Sequence, residues 1–145
     1  MHLCKSTLEV TKNHSLLKQI AYCEHKMREV DQALNYYQQA LNLCAAEDEQ
    51  ELASIYHYLG MLKADNGEVD EAIALYNQSL EINERIGNVR TQAMTLWWLG
   101  DLAEQQGEYT KAISYLQPAL KILQRLQSPD AESVSASLNR VIRNS

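Results

Sequence analysis

A stretch of this chain repeats itself forty residues on, and that fact limits its fold more than any other. Residues 58–82, YLGMLKADNGEVDEAIALYNQSLEI, lie over residues 98–122, WLGDLAEQQGEYTKAISYLQPALKI, at a shift of 40. Leu59-Gly60 matches Leu99-Gly100, Gly67-Glu68 matches Gly107-Glu108, and Ala72-Ile73 matches Ala112-Ile113. A weaker copy lies 39 residues upstream, in Ile20-Ala21, Val30, Ala33, Tyr37, Ala40-Leu41 and Leu43. A period of this size, carried three times, is the signature of stacked supersecondary units.

Each copy reads as two helices. In the second, Leu52, Ile55, Tyr56, Leu59 and Leu62 recur at helical spacing. Asn66-Gly67 ends that helix, because glycine takes a left-handed cap without steric cost. Val69, Ala72, Ile73, Tyr76, Leu80 and Ile82 make the stripe of the next helix, and Gly87-Asn88 stops it. No window sustains the apolar–polar alternation of a strand. Gly60, Ala72 and Ser79 recur as Gly100, Ala112 and Ala119, and as Ala21, Ala33 and Ala40. Small residues at those places let the two backbones of a hairpin approach closely. One hairpin cannot bury its apolar face alone, so the copies must stack.

These residues give the chain its resemblance to tetratricopeptide repeat arrays, whose unit reads W-x2-L-G-x2-Y…A-x3-F…P. The second copy has Tyr56-x2-Leu59-Gly60 and Ala72-x3-Tyr76, and the third has Leu96-x2-Leu99-Gly100 and Ala112-x3-Leu116. The first is degenerate, with Leu17-x2-Ile20-Ala21 and Ala33-x3-Tyr37. Lys63, Ala103 and Glu24 stand in place of the later tyrosine, and no proline closes the second helices. The 39–40-residue period is longer than the usual repeat and is similar to the long-helix branch, with phrases most like bacterial arrays. The resemblance implies an all-α, right-handed α-solenoid of three helix-turn-helix hairpins plus a C-terminal capping helix.

The expected domain plan follows. Residues 1–12 form an N-terminal extension or the remnant of a preceding repeat, since Leu8-Glu9-Val10 resembles Leu80-Glu81-Ile82. Three repeats occupy 13–126 (about 13–48, 49–88 and 89–127), and 128–145 is the terminal helix, opened by Ser128-Pro129-Asp130. That helix is a polar-backed cap or the first helix of a fourth repeat. Ser133, Ser135, Ser137 and Asn139 on one side favour the cap.

Composition excludes several functions. Of the net −6, residues 47–86 carry −8, while the segments on either side carry +1 each. Nucleic-acid binding requires clustered Lys and Arg to displace counterions, and no segment offers them. No apolar run is long enough to cross a membrane. The start, Met1-His2-Leu3-Cys4-Lys5, lacks a signal segment. Cys4, Cys23 and Cys44 form no CxxC pair and read as reduced thiols of a cytoplasmic protein, with Cys23 and Cys44 on apolar helix stripes. His2, His14, His25 and His57 have no partners at metal-ligand spacing, and no phosphate loop or nucleophile motif occurs. The acidic run Glu47-Asp48-Glu49-Gln50-Glu51 lacks the ligand alternation of a calcium loop and suits a helix start. The reading is therefore not an enzyme, with no cofactor and no metal.

The resemblance also places a binding surface. In such arrays the first helix of each hairpin lines a concave groove. The matching positions include Ser15, Lys18, Tyr22, His25, His57, Tyr58, Met61, Met94, Trp97, Trp98 and Asp101, with Lys18 and Lys26 rimming one end and Asp101 and Glu104 the other. Leu96 and Leu99 already supply the core stripe of their helix, so Trp97 and Trp98 are hard to bury inside the repeat. The family's chaperone-tail clamp falls on Lys18, Tyr22, Tyr58, Met94 and Trp98, of which Lys18 alone fits. The groove should therefore prefer an apolar helix or an extended apolar segment of a protein partner. A regulatory or sensor segment of a larger signalling protein is the second reading, and a self-associating homo-oligomeric scaffold the third.

Overall fold

In the computed structural model, residues 17–22, 29–44 and 48–145 are described. Among them are seven helices and no strand: α1 (17–22), α2 (Val30–Leu43), α3 (Glu49–Asp65), α4 (Val69–Ile86), α5 (Val89–Gln105), α6 (Tyr109–Arg125) and α7 (Asp130–Asn144). The chain divides into two compact units, 1–79 and 80–145, and the division falls within α4. The expected extension at 1–12, Cys23, the groove positions Ser15 and His25 and the rim residue Lys26 lie outside the described residues.

In the first unit, α1 turns Leu17, Ile20 and Ala21 inward and α2 turns Ala33, Tyr37 and Ala40 inward, all at most 1% exposed. These spacings of three and four place them on one face of each helix. Ile55, Leu59 and Leu62 of α3 complete the core. Asp48 opens α3, its carboxylate accepting the Glu51 backbone N–H at 3.3 Å, and Glu49 and Glu51 occupy the first turn. The acidic run thus serves the helix start, where carboxylates offset the helix dipole.

The α3–α4 contact is close for a stated reason. A Cβ on Gly60 would lie 2.8 Å from the Tyr76 ring, which is 1% exposed. Beside it the buried Ser79 hydroxyl donates to the Ala53 carbonyl at 2.7 Å. In the second unit Gly100 plays the same part, 2.7 Å from the Leu116 side chain. Ala112, Leu116, Ala119 and Leu123 of α6 are buried between α5 and Val134, Leu138 and Val141 of α7.

The helix ends share one geometry. Gly67 and Gly107 have φ of +81° and +75°, and the residue after each donates back to the carbonyl five residues earlier, at 2.9 Å. That is the six-residue closure of a Schellman cap. The same closure ends α6, with Ser128 donating to Leu123 at 2.9 Å, but there Gln127 takes φ 53°. Pro118 lies inside α6 and has no N–H for the carbonyl four residues before it.

Cys44 departs from expectation. It follows the last turn of α2 as its cap, with extended ψ of 127°, instead of lying on the helical stripe. It is half-buried against the first core, with its thiol 3.8 Å from the Asp48 carbonyl. Burial and then the carboxylates of Asp48 and Glu51 push the thiol pKa up, which makes it a poor nucleophile.

Candidate functional site

The candidate residues fall on both units, and the two sets are organised differently. In the first unit Tyr58 is the hub. Its ring meets Tyr22 edge-on at 5.3 Å, lies parallel to Tyr37 at 6.2 Å, and meets His57 at 5.7 Å. The Lys18 ammonium sits 5.9 Å over the same ring. Lys18, expected on the rim, has partners within the unit: it pairs with Glu51 at 2.8 Å and donates to the Ser54 hydroxyl at 3.2 Å. His57 packs on Tyr76 at 5.5 Å, and burial pulls its pKa down from 6.5 to about 4, so the imidazole is neutral at pH 7. Tyr22 remains 37% exposed at the edge of the cluster, and Met61 is half-buried one turn beyond His57 and Tyr58.

In the second unit Trp97, Trp98 and Asp101 of α5 line a cleft of about 260 Å³ together with Ser137 of α7. Trp97 also packs on the core of this unit, so it is partly structural. Trp98 is 38% exposed. Met94, one turn earlier, is half-buried and is not among the cleft-lining residues. Asp101 is half-buried and accepts one hydrogen bond from the Gln105 amide at 2.9 Å. Burial, and then the neighbouring Glu104, push its carboxyl pKa up, while Arg140 pulls the other way. Glu104 is held by Arg140 through two parallel bonds of 2.7 Å, and this holds its carboxyl below the usual range.

The contributions of α7 were missed in the sequence. Its serines read as a solvent-facing back, yet Ser137 lines the cleft and Arg140, three residues on, grips Glu104. The spacing of Ser133, Ser137 and Arg140 (i, i+4, i+7) was the available signal, since those positions share a helix face. Two larger hollows, about 580 and 540 Å³, are open dips along α6, one at Gly107–Lys111 and Ser145, the other at Gln117, Pro118, Lys121 and Leu138. Neither gathers the convergent polar groups that mark a ligand site. Among the described residues no group of His, Cys, Asp and Glu is placed to hold a metal, and no helix is long and apolar enough to cross a membrane.

Comparison with known proteins supports the repeat reading at both levels. The chain is 28% identical over 102 residues to the Photosystem I assembly protein Ycf3 of Rippkaea orientalis, covering 65% of this chain and 58% of that protein. Its fold matches the crystal structure of BtubC from P. vanneervenii at a TM-score of 0.82, with 22% identity over 90% of this chain and 56% of that one. It matches the apo form of RapI at 0.85, with 20% identity over 94% and 52%. It also matches aspartyl phosphate phosphatase F of Bacillus subtilis at 0.85, with 16% identity over 94% and 37%. The chain thus spans little more than half the length of its first relatives, and the fold they share is an all-α solenoid. Tetratricopeptide repeat models match residues 13–85 and again 95–122, and on this coverage the chain belongs to the tetratricopeptide repeat family.

Proposed function

We propose that this chain is a non-catalytic protein-interaction module, and that a peptide or helical segment of a partner protein binds on the first helices of its hairpins. Family membership and a relative named for assembly of photosystem I support a role in protein–protein interaction. The observation that carries the finer reading is Trp98, a large indole 38% exposed beside Trp97 in a cleft with a half-buried carboxylate. Aromatic side chains in partly desolvated pockets supply most of the energy in protein recognition. The first unit adds Tyr22 at the edge of its tyrosine cluster. Reading the three cysteines as reduced thiols supports a cytoplasmic location.

The test is affinity capture from the source organism's lysate, comparing wild type with Trp98→Ala by quantitative mass spectrometry. A protein recovered at least about tenfold better by wild type supports the reading, since an interface anchor is worth 2 kcal/mol or more. Equal recovery of every protein by both overturns the α5 assignment. A second reading, a regulatory segment of a larger protein, is favoured by the length comparison: the chain matches 52% of RapI and 37% of the phosphatase. Under that reading the segment binds a neighbouring domain of its own chain, and capture by the isolated segment is competed by adding that domain.

A further inference from the structure

The cleft between α5 and α7 has a charge balance that selects what enters it. Two carboxylates, Asp101 and Glu104, face one guanidinium, Arg140. Arg140 spends both of its short bonds on Glu104, and the hydrogen bond that Asp101 accepts comes from the neutral Gln105 amide. Among these described residues one negative charge is left in excess, on a half-buried group beside two indoles. The face of an indole is electron-rich and attracts a cation.

Resting on the interaction reading above, we propose that this cleft receives one arginine side chain of the partner, held by the indoles of Trp97 and Trp98 and the carboxylate of Asp101. Other side chains fit worse. An acidic residue meets the carboxylate of Asp101. An apolar one strips water from Asp101 and supplies no hydrogen bond in exchange, which penalises its charged form. Lysine supplies the charge but not the plane, whereas a guanidinium both stacks on an indole and forks onto a carboxylate. The volume, about 260 Å³, suits one long side chain and lies below the usual range for a free small-molecule ligand.

The cleft can be read directly, because both tryptophans of the chain, Trp97 and Trp98, line it, so indole fluorescence and the two indole N–H resonances report on it. The probe is N-acetyl-L-arginine amide titrated into the full chain, with N-acetyl-L-citrulline amide as its neutral isostere and the lysine analogue as its unbranched counterpart. Saturable indole shifts with arginine are expected, at least about fivefold weaker with citrulline. Asp101→Asn is expected to weaken arginine binding by about the same factor, with helical content and thermal midpoint unchanged. Equal binding of citrulline, an unaltered titration in Asp101→Asn, or no saturable shift overturns the proposal. Capture with the two variants separates it from the broader reading. A partner lost with Trp98→Ala but retained with Asp101→Asn leaves the interaction surface standing and removes the arginine.

Discussion

Tyr58 and Trp98 occupy the same position of successive repeats, forty residues apart, and the chain uses them in opposite ways. Tyr58 is enclosed by its own unit, between Tyr22, Tyr37 and His57 and beneath a Lys18 that Glu51 and Ser54 hold in place. Trp98 is 38% exposed at a cleft walled by α7. A repeat motif fixes where a side chain stands on its helix, but its neighbours from other helices decide how far that position is enclosed. At this repeat position the first unit draws its aromatic ring into a cluster, with Tyr22 exposed at the edge, and the second leaves its ring exposed beside a half-buried carboxylate.

The largest expected effect tests the cohesive side. Tyr37 is fully buried, and Tyr37→Ala should cost about 4 kcal/mol, read by chemical denaturation, as removal of a core aromatic does. Tyr37→Phe should be neutral or slightly stabilising, because the Tyr37 hydroxyl is buried with no hydrogen-bond partner among the described residues. Burial, and then Tyr58 and Tyr22, push its pKa up. The unfolded chain therefore ionises first, and this group should lower stability by about 1.4 kcal/mol per pH unit above pH 10, a contribution lost in Tyr37→Phe.

Acid supplies the next contrast. His57 titrates near 4 when folded and near 6.5 when unfolded. Between those values the unfolded state binds the extra proton, so stability is intact above pH 6.5 and is lost as pH falls toward 4, by about 3 kcal/mol in all. All four histidines lie before residue 80, so this term acts on the first unit. Amide exchange should show α3 losing protection between pH 6.5 and 4 while α5 keeps its own, and His57→Gln should abolish the difference. Parallel loss in both helices would break the contrast between the two units.

The direct comparison of Tyr58→Ala with Trp98→Ala comes third. Tyr58→Ala should cost about 2 kcal/mol, since it opens a ring cluster, while Trp98→Ala should cost about 1 kcal/mol or less and yet remove partner capture. If Trp98→Ala proves the more destabilising, the indole belongs to the core and the α5 surface is not a docking site.

These expectations show where the sequence was legible. The period, the caps at Gly67 and Gly107 and the close approach at Gly60 depend on residues near one another in the chain or one hairpin apart, and periodicity exposes such relations. The exposure of Trp98 was readable as well, because Leu96 and Leu99 had already filled the core stripe. The capture of Lys18 and the role of Arg140 were not. Lys18 reaches Ser54 and Arg140 reaches Glu104, each across 36 residues, from one hairpin's first helix to the helix that follows the hairpin. Long flexible side chains choose such partners through geometry that no local pattern records. The two ties share a spacing: α7 is joined to α5 as α3 is joined to α1. Nor was the capping position of Cys44 readable, since the apolar spacing continues one residue past the point where the α2 backbone turns extended.

The smallest predicted effect lies at the loop that sets α7 beside the cleft. Gln127 has φ 53°, a conformation that costs a side-chain-bearing residue about 1 kcal/mol and costs glycine little. Gly67 and Gly107 show the same closure without that strain. Replacing Gln127 by glycine relieves the strain but gives the unfolded chain more freedom to lose, so the net gain should be about 0.5 kcal/mol. Because Ser128 donates to Leu123 in the closure and then supports Asp130 at the start of α7, the gain should appear in the second unit alone. Amide exchange of α6 and α7 in Gln127→Gly should slow by about twofold, with α3 unchanged. If the exchange accelerates instead, Gln127 makes contacts that outweigh its strain, and the loop contributes to holding α7 against the tryptophan cleft through its side chain as well as its backbone.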